Sequence, residues 1–464
     1  MHAVKPLSAA LACVAVIVSG CGGGGGSGGG YGGGSPSPTY TVGGSIKGLA
    51  GSGLRLQLNG GSDLSIAADG LFTFSSALAA GAQYAVTVAA QPNDQTCTVA
   101  SGSGNVGNAN VASVSVICAD TPLPPLAVQD TSYKNFKQVG LTPQTLPTGA
   151  SDARAYADFF RRGRLDLFTT ELTYSPDTST PATATPALFK MWHRQANGTF
   201  VQAPGDMSTQ GCIHPRKAVV ADFNHDGRPD VFVACHGYDA APFPGERSKL
   251  VLSRADGSFV VQDASNDVGF FHSATAADLN GDGLPDVIVT DTSDSDSMFV
   301  LINQGGGQFQ REASSRMPSF VAGGKSYFTV ELVDVNEDGK LDLLVGGHEF
   351  QTGTTALFLN PGGNDFSSVA PTLLPTVANE GVVLDFAVTG TGSDRTLWVL
   401  RTSGGDGTFY ASRVVQKVLL GSLASSVPLN ARPAQWVPWI VPATVGGQAV
   451  IVSDDARAAL SLPQ

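Results

Sequence analysis

At 464 residues the chain is long enough for two or three domains, each with a core of its own. Its formal charge of −12, from 27 Lys and Arg against 39 Asp and Glu, argues against a nucleic-acid partner, because nothing supplies the basic surplus that phosphates demand. Charged residues make up only 14% while Gly (57) and Pro (27) are plentiful, a mixture suited to short strands joined by many turns.

Residues 1–20 read as an export signal. Lys5 supplies the positive start, and Leu7 to Val18 is an apolar run broken only by Ser8, too short to span a membrane. The run ends Val18-Ser19-Gly20-Cys21, which resembles the bacterial lipoprotein box. That resemblance implies a diacylglyceryl group on the Cys21 thiol and a lipid-anchored place in the bacterial cell envelope, at the outer membrane or cell surface. An ordinary signal with an incidental Cys21 is the plainer alternative. Residues 21–39 form a tether, since the near-continuous glycine of residues 22–34 has no side chains with which to build a core.

Six cysteines are present; Cys13 leaves with the signal and Cys21 carries the lipid. Export favours oxidised pairing of the remaining four. Chain order suggests Cys97 with Cys118 and Cys212 with Cys235, although three pairings are formally possible.

Residues 40–120 read as a small all-β domain. Leu54-Arg55-Leu56-Gln57-Leu58, Leu71-Phe72-Thr73-Phe74 and Tyr84-Ala85-Val86-Thr87-Val88 alternate in character and are separated by Gly, Asn and Asp turns. A β-sandwich follows, similar to the immunoglobulin- or prealbumin-like modules found after lipoprotein signals. It carries no chemical constellation and reads as a spacer. Residues 121–125, Thr121-Pro122-Leu123-Pro124-Pro125, make a stiff linker.

From residue 126 to 464 the chain repeats itself. Three segments align without gaps: Ala221-Asp222-Phe-Asn224-His-Asp226-Gly227-Arg228-Pro229-Asp230, its counterpart from Ala277 to Asp286, and a third from Val333 to Asp342. They recur every 56 residues. A worn copy precedes them at Asp158 to Asp166, and fainter echoes sit at Leu384-Asp385-Phe386 and around Thr444-Val445-Gly446-Gly447. A turn followed by Phe recurs at Phe136, Phe200, Phe259, Phe309, Phe366 and Phe409. Six loops and six Phe markers imply a six-bladed β-propeller, seven if one blade has lost both markers. Because Phe136 precedes every loop, its segment is expected to complete the last blade. The fold class is thus all-β, a small sandwich followed by a propeller.

Each intact loop sets oxygen-bearing side chains at positions 1, 3, 5 and 9, with Gly at 6 and a backbone carbonyl at 7. This spacing wraps a turn around one hard cation. An EF-hand needs a bidentate Glu at position 12 followed by a helix, but Val233, Val289 and Val345 stand there inside apolar, strand-like runs. What these loops resemble is the FG-GAP, or VCBS, repeat of integrin α-chains and bacterial surface proteins. The resemblance implies three Ca²⁺ sites. The first takes Asp222, Asn224, Asp226, the Arg228 carbonyl and Asp230. The second takes Asp278, Asn280, Asp282, Leu284 and Asp286; the third takes Asp334, Asn336, Asp338, Lys340 and Asp342. In the worn copy Phe160 and Arg162 replace two ligands, so no ion is expected, and Arg162 is placed to neutralise Asp158 and Asp166. The Asp385 echo, with Ala387 and Thr389 at positions 3 and 5, is expected to bind nothing.

Of seven histidines, His214 and His272 shortly precede their loops, while His236 and His348 lie six residues after the last loop carboxylate. All four therefore fall at strand ends on the face opposite the loops, with Asp291 and Glu349 in the same layer, where a ligand site is expected. Imidazole titrates near neutrality, so binding there would change between about pH 5 and 8. The plainer reading is hydrogen bonding between strand ends and loops. Cys212, His214, Cys235 and His236 would alternatively suit zinc.

No nucleophile elbow, phosphate loop or HExxH motif is present, and no catalytic residue is assigned. The expectation is a calcium-stabilised, membrane-tethered binding or adhesion module that presents a propeller face to a protein or glycan. The rivals are a polysaccharide-cleaving propeller acting through the His/Asp/Glu face and an envelope assembly scaffold.

Overall fold

The structure is a computed structural model that describes residues 37–49, 53–92, 95–121, 153–173, 175, 178–195, 198–203, 207, 211–313, 316–445, 447–453 and 460–464. The export signal, Cys21, residues 122–125 of the linker and Phe136 lie outside the described residues. Within them regular structure is β, apart from three-residue 3-10 turns, and no helix is long and apolar enough to cross a membrane.

Two four-stranded sheets form the N-terminal domain. One orders Gly70–Ala79, Thr39–Lys47, Val111–Asp120 and Gln95–Ala100; the other orders Ser62–Ser65, Arg55–Leu58, Gln83–Ala90 and Ser103–Asn105. Alternation turns Leu56 and Leu58 of one sheet and Phe72 and Phe74 of the other into a single core, as a period of two dictates. Cys97 stands opposite Cys118 in register, and the two form a disulfide.

From residue 154 onward the described chain makes six antiparallel sheets in succession, five of four strands and the last of three. Each is laid down in chain order from its innermost strand. The innermost strands are Arg154–Ala157, Pro215–Ala221, Phe271–Ala277, Tyr327–Val333, Val382–Thr389 and Val441–Val445, and they adjoin one another in sequence. The second strands Asp230–Cys235, Asp286–Asp291 and Asp342–Gly347 are buried throughout. Both of their faces pack on other sheets, so they read as unbroken apolar runs rather than alternating ones. Val231 and Val233 face the first sheet, while Phe232 and Ala234 face the third. Val233, Val289 and Val345 are accordingly strand residues.

Six apolar clusters lie between neighbouring sheets and close the set on itself. The last joins Tyr156 and Leu167 of the first sheet to Trp439 and Val441 of the sixth. Arg154 covers the same Trp439, 3.9 Å from its ring centroid. A propeller-like ring is the result.

Two sequence expectations are corrected. Leu384, Asp385, Phe386, Ala387 and Thr389 do not form a loop; all lie within the innermost strand Val382–Thr389, and the turn comes at Gly390–Arg395. An Asp-Phe step after an apolar run imitates a loop start, but here the carboxylate is buried and satisfied from other sheets. Phe409 is also no blade marker. Phe200, Phe259 and Phe309 open outer strands, whereas Phe409 is half exposed and packs on Phe350 in the segment between the second and third strands of the fifth sheet.

Candidate functional site

The three intact loops join the two inner strands of the second, third and fourth sheets. Position 1 organises each of them: Asp222 accepts the N–H groups of Asp226 (2.9 Å) and Gly227 (2.7 Å). Asp278 and Asp334 do the same for their own loops. Glycine at position 6 takes left-handed φ (Gly227 81°, Gly283 88°, Gly339 82°). Position 4 does so too, at His225 (61°), Gly281 (81°) and Glu337 (63°), a requirement that the ligand spacing alone did not reveal.

Position 9 is fully buried. Asp230 accepts the N–H of Phe223 (3.1 Å) and of Ser253 (2.8 Å) at the end of the third strand. Asp286 and Asp342 repeat this with Leu279 and Asn303, and with Val335 and Asn360. Burial raises Asp230 to about 8, opposed by the backbone N–H groups of Ser253 and Asn224 and reinforced by Asp226 and Asp222. Burial likewise raises Asp286 to about 6 and lifts Asp342. Carboxylates gathered along one turn are what a divalent cation offsets, and each oxygen that takes one N–H keeps a second acceptor direction. The donor set is entirely oxygen, which fits Ca²⁺. Among the described residues these loop carboxylates do not form a three-member cluster within 4.8 Å.

The worn loop has the same backbone without the donors. Asp158 accepts the N–H groups of Arg162 and Gly163, and Arg161 (55°) and Gly163 (74°) take the left-handed φ. The Arg162 guanidinium sits 2.6 Å from buried Asp166. A fixed side-chain cation thus stands where the intact loops offer carboxylates.

At the opposite end the strand termini converge on a cavity of about 570 Å³. His236, His272 and His348 line it; His214 packs behind them, its ring 5.0 Å from that of His236. His236 and His272 are 4.4 Å apart, and Phe328 lies 4.0 Å from both His272 and His348. Tyr410 Oη is 2.9 Å from His348 Nε2, while His348 Nδ1 is 2.9 Å from Gln351 Oε1. Arg216, Asp239 and Trp436 complete a wall that is aromatic with two charges in it. Sequence reasoning found the histidines by their placement a few residues before or after the loops. It missed Arg216 and Phe328, which stand near the starts of innermost strands, and Tyr410 and Trp436, which lie in connections without a common spacing.

Asp291 and Glu349 do not join that wall. Asp291 accepts the N–H of Phe270 and both the N–H and hydroxyl of Ser293; Glu349 pairs with buried Arg401 at 2.9 Å and accepts the Thr355 hydroxyl. Both carboxylates hold strand ends together. Zinc on Cys212 and Cys235 is likewise overturned, because the two form a disulfide.

Burial, with His272, Arg216 and His214 nearby, holds the His236 imidazole well below the usual histidine range. Burial, with Arg216 and His348, does the same to His272. Burial also lowers His348, against a hydrogen bond to Gln351 that raises it. The cavity imidazoles are therefore neutral at pH 7. Their contribution to stability is present above about pH 6.5, the unfolded value, and is lost as pH falls below it, because the unfolded chain takes up protons first.

A further charged group was not anticipated. Lys217, Glu331 and Asp385 come from three innermost strands and meet inside the ring, with Lys217 Nζ 2.8 Å from Glu331 and 3.4 Å from Asp385. Burial works against the Lys217 ammonium, but Asp385 and Glu331 overcome it and raise the group above the usual lysine range. Asp385 also accepts the N–H of Ile440 from the sixth sheet. A lone acid within each of the strands Tyr327–Val333 and Val382–Thr389, and a lysine in Pro215–Ala221, were the available signal.

Residues 278–345 match the family model of the FG-GAP-like repeat. Over 97 residues the chain is 34% identical to integrin alpha-PS5 and 35% identical to integrin alpha-PS3 of Drosophila melanogaster, in each case covering 19% of this chain. The chain spans about a tenth of the length of these curated relatives. Among solved structures, one assigned as a 6-phosphogluconolactonase of Bacteroides fragilis aligns at 10% identity and a TM-score of 0.39, over 67% of this chain and 82% of its own. A fungal alcohol oxidase in complex with copper aligns at 10% and 0.38, over 70% and 76%. Neither score bears on function.

Proposed function

We propose that this chain, whose residues 278–345 match the FG-GAP-like repeat, is a calcium-stabilised, integrin-α-like binding module whose ligand, a protein or glycan, enters the axial cavity. One observation carries the reading: Arg216, His236, His272, His348, Tyr410 and Trp436, drawn from the second to fifth sheets and the connection to the sixth, converge on a single cavity. Aromatic faces offer stacking surface, neutral imidazoles offer hydrogen-bond acceptors, and Arg216 offers one cation. The loops at the other end act as clips, their carboxylates committed to calcium and to backbone N–H groups.

The full-length protein screened against a glycan array and envelope extracts should select a ligand. His348→Gln and Tyr410→Ala should then weaken its binding at least tenfold while moving the melting temperature by no more than a few degrees. The lowered imidazoles shift the pH window. Around His348 stand Tyr410, Gln351, His272 and Arg216, and binding should stay level from pH 7 to 8 and weaken only below about pH 6.5. Full affinity in both variants would place the ligand elsewhere.

Attachment through a lipid on Cys21, in the envelope of a bacterium, belongs to the same proposal and rests on the sequence. Cys21→Ala should move the protein from the membrane to the soluble fraction and abolish labelling by a palmitate analogue. A variant that stays with membranes and still labels would end the lipoprotein reading.

A further inference from the structure

We propose that His214, His236 and Asp239 bind a first-row transition-metal dication of the zinc class in the cavity wall, at a site distinct from the oxygen-only loops. The donor atoms of these three residues all lie within 4.8 Å of one another. Two imidazoles and a carboxylate are a borderline-soft set, suited to zinc and its neighbours rather than to Ca²⁺.

The placement is built from the backbone upward. His214 directly precedes the inner strand Pro215–Ala221, and His236 directly follows its partner Asp230–Cys235. The His236 N–H donates to the His214 carbonyl at 2.9 Å, so the two side chains leave neighbouring strand ends side by side. The Cys212–Cys235 disulfide ties the same two ends together. Glu246 does so again from a third segment: its carboxylate accepts the N–H groups of Ile213 (2.9 Å), His214 (3.0 Å) and Gly237 (2.9 Å). A cross-link and a three-way carboxylate clasp thus hold the backbone on either side of both histidines. Ligands fixed before the ion arrives lose little freedom when it binds.

Tautomer and access agree with this. His236 Nδ1 lies 3.4 Å from the Gly237 carbonyl, a contact that keeps the proton on Nδ1 and turns the Nε2 lone pair toward Asp239 Oδ1, 4.0 Å away. His236 and Asp239 both line the cavity, so a coordination position not used by protein opens into it. Such an open position separates a reactive or ligand-binding ion from a purely structural one.

Arg216 opposes the ion, since its guanidinium stands 3.3 Å from His214 Nε2. Near Trp436 it is also within 6.0 Å of an aromatic face, onto which the long side chain can withdraw. Its position parallels that of Arg162 in the worn loop, where a guanidinium stands among carboxylates. Removing Arg216 should therefore strengthen metal binding, the reverse of what its loss would do to an anionic ligand of the cavity.

The test uses the full-length protein, stripped with chelator and refilled with excess Ca²⁺ so that the loops do not compete, then titrated with Zn²⁺ against a chromophoric chelator. One equivalent should bind. Asp239→Asn, at an exposed position that leaves the fold alone, and His236→Ala should each weaken it ten- to a hundredfold, whereas Arg216→Gln should tighten it and His348→Gln should leave it unchanged. Co²⁺ in the same site should give the intense visible bands of four-coordination, lost in Asp239→Asn. No uptake of Zn²⁺ by the native protein, or undiminished affinity in both ligand variants, overturns the proposal. The probe is the metal alone, so the result stands apart from whether the cavity's macromolecular ligand is found.

Discussion

Lys217→Met is expected to lower the unfolding free energy by about 3–5 kcal/mol, the usual consequence of removing one partner from a buried charge group. Lys217 pairs with both Glu331 and Asp385, which are buried, and the three draw together the second, fourth and fifth sheets. Methionine fills a similar volume but removes the ammonium that both buried carboxylates contact. The triple variant Lys217→Met, Glu331→Gln, Asp385→Asn should recover most of the loss. Its amide oxygen at position 385 would still accept the Ile440 N–H, which a leucine there would leave unpaired. Urea unfolding measures both. A loss below about 1 kcal/mol in the single variant would mean that the group contributes little to holding the ring closed.

Chelation of calcium is the second large effect. The stripped protein should take up three equivalents, and each site should add about 2.7 kcal/mol when free Ca²⁺ stands a hundredfold above its dissociation constant. Asp226→Ala, Asp282→Ala and Asp338→Ala should each remove one equivalent. In the ion-free loop these carboxylates accept the N–H of Arg228, Leu284 and Lys340, so a small structural loss accompanies the missing ion. Arg162 makes the worn loop an internal control: Asp158→Ala should cost stability through the freed N–H groups of Arg162 and Gly163 but leave the count at three. Four equivalents, or none, would break the link between ligand spacing and ion binding. Calcium dependence of the melting temperature, variant by variant, distinguishes ion loss from simple destabilisation.

What could be read directly from the chain was whatever is local along it. The loops are built within nine residues, so their ligand pattern, their 56-residue repeat and the strand that follows each were legible in the order of residues alone. The replacement of loop carboxylates in the worn copy was legible for the same reason: Phe160 and Arg162 stand where the intact loops carry oxygen donors. Alternation identified the sandwich, and unbroken apolar runs identified strands packed on both faces. Chain order suggested the cysteine partners because each pair closes a short loop between nearby strands. The misread echo at Asp385 marks the limit of local pattern. Its neighbours resemble a loop start, and only the Lys217 ammonium, 168 residues away, reveals why an acid stands there.

By itself, then, the sequence determined the blade unit, the loop geometry and the layer in which the histidines fall, because each depends on residues a few positions apart. Ring closure decided the rest. Lys217, Glu331 and Asp385 become partners only when innermost strands of different sheets face one another. His236, His272, His348, Tyr410 and Trp436 share a cavity only because successive sheets turn their strand ends toward one axis. Asp291 and Glu349 show the same rule in reverse. They occupy the right layer by count, yet hydrogen bonds to Ser293 and Arg401 turn their carboxylates into the framework. Side-chain direction in a loop follows from its nearest satisfied hydrogen bond, and most of those partners are supplied by tertiary packing rather than by chain order.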